Sequence, residues 1–161
     1  MQHTMSVLVE DKPGVLMRIS SLFARRGFNI ESLTVGKTAQ PGKSRFTIVV
    51  NGDDRVLEQV RKQLQKLVHV IKARNLKPGD AFHREYALLK VSTSEDKMDH
   101  IIQVVTALQG KIVEASNGMC TVEFTGNERT IDSAFNLLRP FGIHESIRTG
   151  KIAMLKGKAT L

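Results

Sequence analysis

Two short segments near the N-terminus contain residue types that suit the binding of a small zwitterion. The first is the turn at residues 11–16, where Pro13 and Gly14 precede an apolar helical pattern. A helix that begins near Pro13 leaves its first amides unpaired and has about half a positive charge at that end, so it attracts a carboxylate. Gly14 has no Cβ and lets a ligand approach the backbone. The turn predicts an anion-binding position.

The second segment begins at Asn29, which directly follows the same helix. Asp11 and Asn29 have oxygens that accept hydrogen bonds from an ammonium group, while the amides of Gly14 and Val15 would hold a carboxylate. A purely structural interpretation is also open. In it, Asp11 caps the helix, Gly14 belongs only to a turn, and Asn29 serves the turn that follows the helix. From the pattern alone, the structural interpretation is favoured.

The elements that must position these residues follow an order that repeats. Alternating and helical apolar spacings predict a strand, a helix, a hairpin, a second helix and a closing strand. In the first half these lie near residues 5–9, 13–26, 28–37, 43–51, 54–67 and 68–73, and in the second half near 84–91, 95–108, 111–115, 119–125, 131–138 and 143–148. Each half therefore predicts the order βαββαβ.

This order predicts an α+β protein of two ferredoxin-like domains, each with helices packed on one face of an antiparallel sheet. The predicted domains cover residues 1–76 and 83–161, and a linker rich in turn residues covers 77–82. Each sheet is left with a second face to cover. Because two copies can cover these faces by pairing, we expect a homodimer. The basic tail from Lys151 to Lys158 either orders against a partner or frays as a chain end.

The net charge of +8 is concentrated in the first half of the chain. Residues 1–76 contain 13 Lys and Arg against 6 Asp and Glu, and residues 77–161 contain 11 against 10. Such asymmetry is typical of proteins that bind nucleic acid, an acidic membrane surface or an acidic protein. A ferredoxin-like RNA-binding domain, however, stacks bases on aromatic side chains of its central strands, and here those strands are aliphatic with only Phe46 nearby. We therefore favour a solvated or protein-docking surface.

Other residues that attract attention have simpler explanations. Cys120 alternates with apolar neighbours on a strand and predicts a small core residue. The five histidines have no metal-ligand spacing, so we expect no metal site and no catalytic residue. No run of about 18 apolar residues and no signal sequence occurs, which predicts a cytoplasmic protein without membrane contact.

The turn EDKPGVL at residues 10–16 resembles the signature turn of ACT domains, the amino-acid-sensing modules of biosynthetic enzymes. RGFNIESLTV at 26–35 and SRFTI at 44–48 resemble the small regulatory subunits of acetohydroxyacid (acetolactate) synthase. The second half is similar to the same family in REYALLKV at 84–91 and RTG at 148–150. The resemblance covers nearly the whole chain.

The resemblance implies a non-catalytic homodimer with an N-terminal ACT domain that activates a catalytic large subunit and confers feedback inhibition by valine or another branched-chain amino acid. Carried over by position, Asp11, Gly14, Val15 and Leu16 of one chain would hold the effector, and Asn29 and Ile30 of the facing chain would close the site. Many family members have Asn at the position of Asp11. The resemblance implies no cofactor in this chain, and thiamine diphosphate, magnesium and FAD in the catalytic partner.

Two alternatives belong to other functional classes. A free-standing ACT-type amino-acid sensor would serve a different protein and would not co-purify with a thiamine-dependent subunit. A basic ferredoxin-like nucleic-acid-binding protein would show strongly salt-dependent binding to RNA or DNA.

Overall fold

A computed structural model of the chain describes residues 2–77 and 79–161. Pro78, which the sequence places in the linker, lies outside the described residues. The elements are β1 (Gln2–Glu10), α1 (Val15–Arg25), β2 (Ile30–Lys37), β3 (Lys43–Asn51), α2 (Asp54–Leu64), β4 (Val70–Leu76), β5 (Ala81–Ser92), α3 (Glu95–Ala107), β6 (Lys111–Ser116), β7 (Met119–Gly126), α4 (Glu128–Leu138), a short 3-10 turn (Arg139–Phe141), β8 (Ile143–Arg148) and β9 (Ile152–Leu155). The predicted α+β class and the double βαββαβ order are confirmed.

The chain forms two compact units. The first contains the residues up to Phe82 together with Lys151–Leu161, and the second contains His83–Gly150. The first unit has an antiparallel sheet of order β2-β3-β1-β4, and the second has the order β6-β7-β5-β8. Residues 151–161, which were expected to belong to the second domain, pack with the first unit instead.

The core of the first unit lies between its two helices and one face of the sheet. Strand residues Met5, Val7 and Val9 alternate toward this face, as the period of a strand requires. The partners from the helices include Ile19, Phe23, Leu57 and Leu64, all of which are fully buried. The apolar stripe that predicted α1 therefore faces the sheet.

The ends of these helices follow from particular residues. Gly27 lies two residues after the last residue of α1 and has a φ of +72°. The amide of the next residue, Phe28, donates to the carbonyl of Phe23 at 3.0 Å. This is the left-handed ending for which the sequence assigned Gly27 as the stop signal. The side chain of Asp53 accepts a hydrogen bond from the amide of Val56 at 2.8 Å and caps α2.

The second unit repeats this packing around Leu89, Val122, Phe124 and Ile131. Its sheet contains an ion pair in which the nearly buried carboxylate of Glu85 accepts from Nε of Arg148 at 2.5 Å. Nη1 of Arg148 also donates to Asp132 of α4 at 2.9 Å. Arg148 thus satisfies a carboxylate that would otherwise be buried without a partner.

The C-terminal segment Lys151–Leu161, named here the C-terminal strap, belongs to the first unit. The amide of Lys156 in the strap donates to the carbonyl of Asp80, in the same unit, at 2.9 Å. Ala153 and Leu155 form a small apolar cluster with Leu76 and Ala81, and the intervening Met154 is exposed. Buried and exposed side chains thus alternate with the period of a strand. The sequence allowed this tail either to order against a partner or to fray, whereas the structure packs it within the first unit.

Among the described residues, no helix is long and apolar enough to cross a membrane.

Candidate functional site

The N-terminus of α1 is open to a ligand. The first helical residue is Val15 and the N-cap is Gly14, and no side chain caps the helix. The amide of Val15 donates to the carbonyl of Lys12 only at 3.4 Å, and the amide of Arg18 donates to the carbonyl of Gly14 at 3.1 Å. In the part of the chain that the structure describes, no backbone carbonyl accepts from the amides of Gly14, Leu16 or Met17. The structural interpretation in which Asp11 caps this helix is therefore wrong.

Gly14 has a left-handed backbone, with φ of +81° and ψ of −5°. An L side chain here would be strained, although a Cβ would meet no atom within 4 Å. No protein atom therefore crowds Gly14 on the side where a Cβ would lie, so its backbone is accessible to a ligand from that side.

Asp11 lies three residues before Gly14 and contacts the β2–β3 hairpin. Its amide donates to the carbonyl of Gly42 at 2.8 Å, which fixes the backbone of the turn. Its carboxylate lies 3.8 Å from the ammonium of Lys37, and both side chains are largely exposed. The pair is therefore a weak surface interaction, and its carboxylate can exchange Lys37 for another cation.

Val15 and Leu16 have different roles. Val15 is only 4% exposed and its side chain packs in the core, so it contributes only backbone to the site. Leu16 is 47% exposed and lies beside the open amides. Leu16 and the neighbouring Met17, which is 68% exposed, are therefore the apolar side chains that this helix end offers to a ligand.

Asn29 and Ile30 lie at the opposite end of the same sheet. Ile30 pairs with Val50, and Val50 pairs with His3 at the start of β1, whereas Asp11 follows the end of β1. The eight residues between His3 and Asp11 span roughly 26 Å at the usual strand rise of about 3.3 Å per residue. A single chain therefore does not bring the two predicted halves of the site together.

The two distant residues differ in exposure. The side chain of Asn29 is exposed, and Ile30 is half-buried and packs against the core. An exposed amide side chain next to a partly accessible aliphatic one is suited to contact a ligand that another chain holds.

Two site features were not found from the sequence. The open amide of Met17 belongs to the helix end but was outside the segment assigned to the ligand. The side chain of Lys37 lies near Asp11, although the two residues are 26 positions apart in the sequence. The contact depends on the strand register, in which Lys37 of β2 pairs with Ser44 of β3. Nothing local in the sequence indicates that register, so no pattern would have identified this contact.

Two other features of the described residues have no role in this site. Cys120 is fully buried in the core of the second unit, as predicted, and burial raises the pKa of its thiol. Within residues 2–77 and 79–161, no group of three or more His, Cys, Asp and Glu side chains lies close enough to hold a metal ion.

Comparison with known proteins gives two family matches that together cover most of the chain. Residues 5–72 match the sequence model of the "AHAS small subunit-like ACT domain", and residues 84–157 match that of the "Small subunit of acetolactate synthase". A protein of Methanothermobacter thermautotrophicus named "Probable acetolactate synthase small subunit" is 51% identical, over 99% of this chain and 95% of that protein.

Two further relatives agree. The "Acetolactate synthase small subunit" of Mycolicibacterium smegmatis is 46% identical, over 96% of this chain and 91% of that protein. A crystal structure of the acetolactate synthase small subunit from Thermotoga maritima superposes with a TM-score of 0.91 at 42% identity and covers 99% of both chains. The similarity in sequence and in fold therefore extends over both units.

Proposed function

Because this chain belongs to the family of acetolactate synthase small subunits, we propose that it binds a branched-chain amino acid and regulates a catalytic partner in response. The chain is a regulatory subunit with an ACT domain and is not the catalytic subunit of acetolactate synthase. The single observation that carries the proposal is the uncapped N-terminus of α1, whose open amides lie beside Asp11.

In the proposed complex, the effector's carboxylate accepts hydrogen bonds from the amides of Gly14 and Leu16. The amide of Val15, which the sequence assigned to this role, already donates to the carbonyl of Lys12. The partial positive charge of the helix end adds to this attraction. The ammonium group of the effector replaces Lys37 at the carboxylate of Asp11, which the exposed 3.8 Å geometry of that pair allows. Each end of the zwitterion then has a partner of opposite sign.

The apolar end of the effector rests on aliphatic side chains. Leu16 is exposed at the turn, as is Met17, and Ile30 and Leu33 are partly buried in β2. Burial of a valine-sized side chain contributes about 1.5 to 3 kcal/mol. The preference among valine, leucine and isoleucine is set by how these side chains fill the space around the effector.

A second copy of the chain completes this site. Asn29 and Ile30 lie roughly 26 Å from Asp11 along the sheet, by the usual rise of a strand. In an antiparallel pair of copies, the end of one sheet that contains Asp11 lies beside the end of the other that contains Asn29. We therefore propose a homodimer in which each effector contacts both chains.

Regulation follows from unequal binding to two arrangements of the holoenzyme. An effector that favours the arrangement with lower activity shifts the equilibrium toward it, with a coupling free energy of about 1 to 3 kcal/mol. The effector-free subunit activates the catalytic partner, which supplies thiamine diphosphate, magnesium and FAD. We place this system in the cytoplasm.

The test reconstitutes this chain with the catalytic subunit from the same genome and measures acetolactate formation during titration with valine, leucine and isoleucine. We expect the chain to raise the activity and at least one of the three amino acids to lower it again. D-Valine is the matched control, because its side chain would point away from Leu16. Activity unchanged by the chain, together with calorimetric binding of an amino acid, would identify a sensor for another protein.

A further inference from the structure

The two compact units differ strongly in charge. The first unit contains 17 Lys and Arg against 7 Asp and Glu, a net charge of +10, whereas the second contains 7 against 9, a net charge of −2. The C-terminal strap increases this contrast, because Lys151, Lys156 and Lys158 belong to the first unit. The first unit is therefore the part of the molecule that an acidic partner would approach.

Three of the cations of this unit line a groove at the C-terminal ends of α1 and α2. This cationic groove has a volume of about 350 Å³ and is lined by Arg26, Gln59, Lys62, Gln63, Gln65 and Lys66. Its lining contains no carboxylate. The groove offers ammonium, guanidinium and amide donors, which suit carboxylate acceptors.

The three cations of the groove are free to bind a partner. Among the described residues, none of the side chains of Arg26, Lys62 and Lys66 has an ion-pair or hydrogen-bond partner. The neighbouring Arg61 differs, since its Nη2 donates to Glu58 at 2.5 Å and its Nη1 donates to Oε1 of Gln65 at 2.8 Å. Glu58 is held by Arg61 and also attracts Lys62 from one turn away, so this carboxylate offsets only part of the positive charge of the groove.

Helix dipoles account for only part of this arrangement. Cations in the last turn of a helix are stabilised by the carbonyl end, which applies to Lys62. The helix dipole does not explain why the surface is concave. It also does not explain the presence of Lys66, which lies beyond the end of α2. The concavity and its donors therefore point to an external acidic group.

A second copy of this chain is a poor occupant of the groove. It presents the same excess of positive charge, so contact between two grooves would bring like charges together. An acidic segment of another protein has a charge of the opposite sign, and the proposed regulatory role requires a protein partner. We propose that the cationic groove is where this subunit docks onto an acidic segment of its catalytic partner. This inference rests on the proposed function.

The test measures the affinity of this chain for the purified catalytic subunit of the same genome at several salt concentrations. The groove variant is Lys62→Glu with Lys66→Glu, and a neutral variant replaces the same two residues by Gln. The matched control is Lys72→Glu with Arg74→Glu, which changes the charge of the same unit by the same amount. Lys72 and Arg74 are exposed on β4 and lie outside the lining of the groove.

We expect the groove variant to raise the Kd at least about tenfold at low salt, the neutral variant to have a smaller effect, and the control to change the Kd less than about twofold. The difference between variant and control should shrink as salt rises. Circular dichroism and calorimetric effector binding should match the wild type, because the groove lies outside the effector site.

Equal weakening by the groove variant and the control would overturn the inference, because net charge alone would then explain binding. Unchanged affinity in the groove variant would overturn it as well, while leaving the proposed function intact. If the folded wild-type chain did not bind the catalytic subunit at all, the proposed function would fail, and the inference with it. Tighter binding of a mixed-sequence RNA than of the catalytic subunit, lost in the groove variant, would assign the groove to nucleic acid.

Discussion

The guanidinium of Arg45 in β3 donates a hydrogen bond from Nη2 to the backbone carbonyl of Ala153 in β9, at 2.7 Å. Nε of the same side chain donates to the hydroxyl of Ser6 at 2.9 Å, and Ser6 is fully buried. Partial burial lowers the pKa of Arg45, which stays charged because arginine begins from so high a value. One side chain therefore ties the C-terminal strap to the sheet of the first unit.

Replacement of Arg45 should loosen the C-terminal strap. Arg45→Ala removes two hydrogen bonds of a charged donor and leaves the Ser6 hydroxyl without this partner, so we expect a loss of about 2 to 3 kcal/mol in the free energy of unfolding. Hydrogen exchange should show faster exchange of the amides of β9, and urea denaturation should show the loss. Lys72→Ala, an exposed change on β4, should stay within about 0.5 kcal/mol of the wild type. Protected β9 amides in Arg45→Ala would show that the apolar cluster alone holds the strap.

Gly14 offers a direct test of the effector site. Gly14→Asp places a carboxylate where the effector's carboxylate should lie, so we expect effector affinity to fall at least about tenfold while activation of the catalytic partner persists. Gly14→Asn is the matched control, because it has the same bulk without the charge and asparagine tolerates a left-handed backbone. Calorimetric titration of both variants separates charge from strain. Feedback inhibition that survived in Gly14→Asp would place the effector elsewhere.

The two-chain site predicts complementation between variants. Gly14→Asp and Asn29→Ala should each impair both sites of a homodimer, but a mixed dimer of the two variants contains one site with both changes and one site with neither. We therefore expect the mixed dimer, purified with two different affinity tags, to recover one effector per dimer at wild-type affinity. A mixed dimer as impaired as its parents would contradict a site shared between chains.

The Cys120 thiol should report unfolding of the second unit. Burial raises its pKa, so the neutral thiol is favoured in the folded state and contributes stability that is fully present below the ordinary thiol pKa of about 8.5. That contribution is lost as pH rises through the raised pKa of the folded state. Labelling with a thiol reagent at pH 8 should be negligible for the native protein and complete in denaturant. Rapid labelling of the native protein would mean that the strand containing Cys120 opens readily.

The sequence by itself determined the order and type of nearly every element. Strand and helix periods are local properties, and stop signals such as Gly27 and caps such as Asp53 act within a few residues. The open helix end at Gly14 was one of two interpretations that the sequence allowed, and the pattern favoured the other, in which Asp11 caps the helix; only the structure showed that no side chain caps it.

Only the tertiary structure decided which distant residues meet. The contact between Lys37 and Asp11, the separation of Asn29 from Asp11 and the attachment of the strap by Arg45 all depend on strand register and on packing between remote segments. Register is set by the whole sheet, and a shift of one residue would turn each side chain to the other face. A linear pattern records which residues are present, whereas their partners are fixed when the sheet and the core form together.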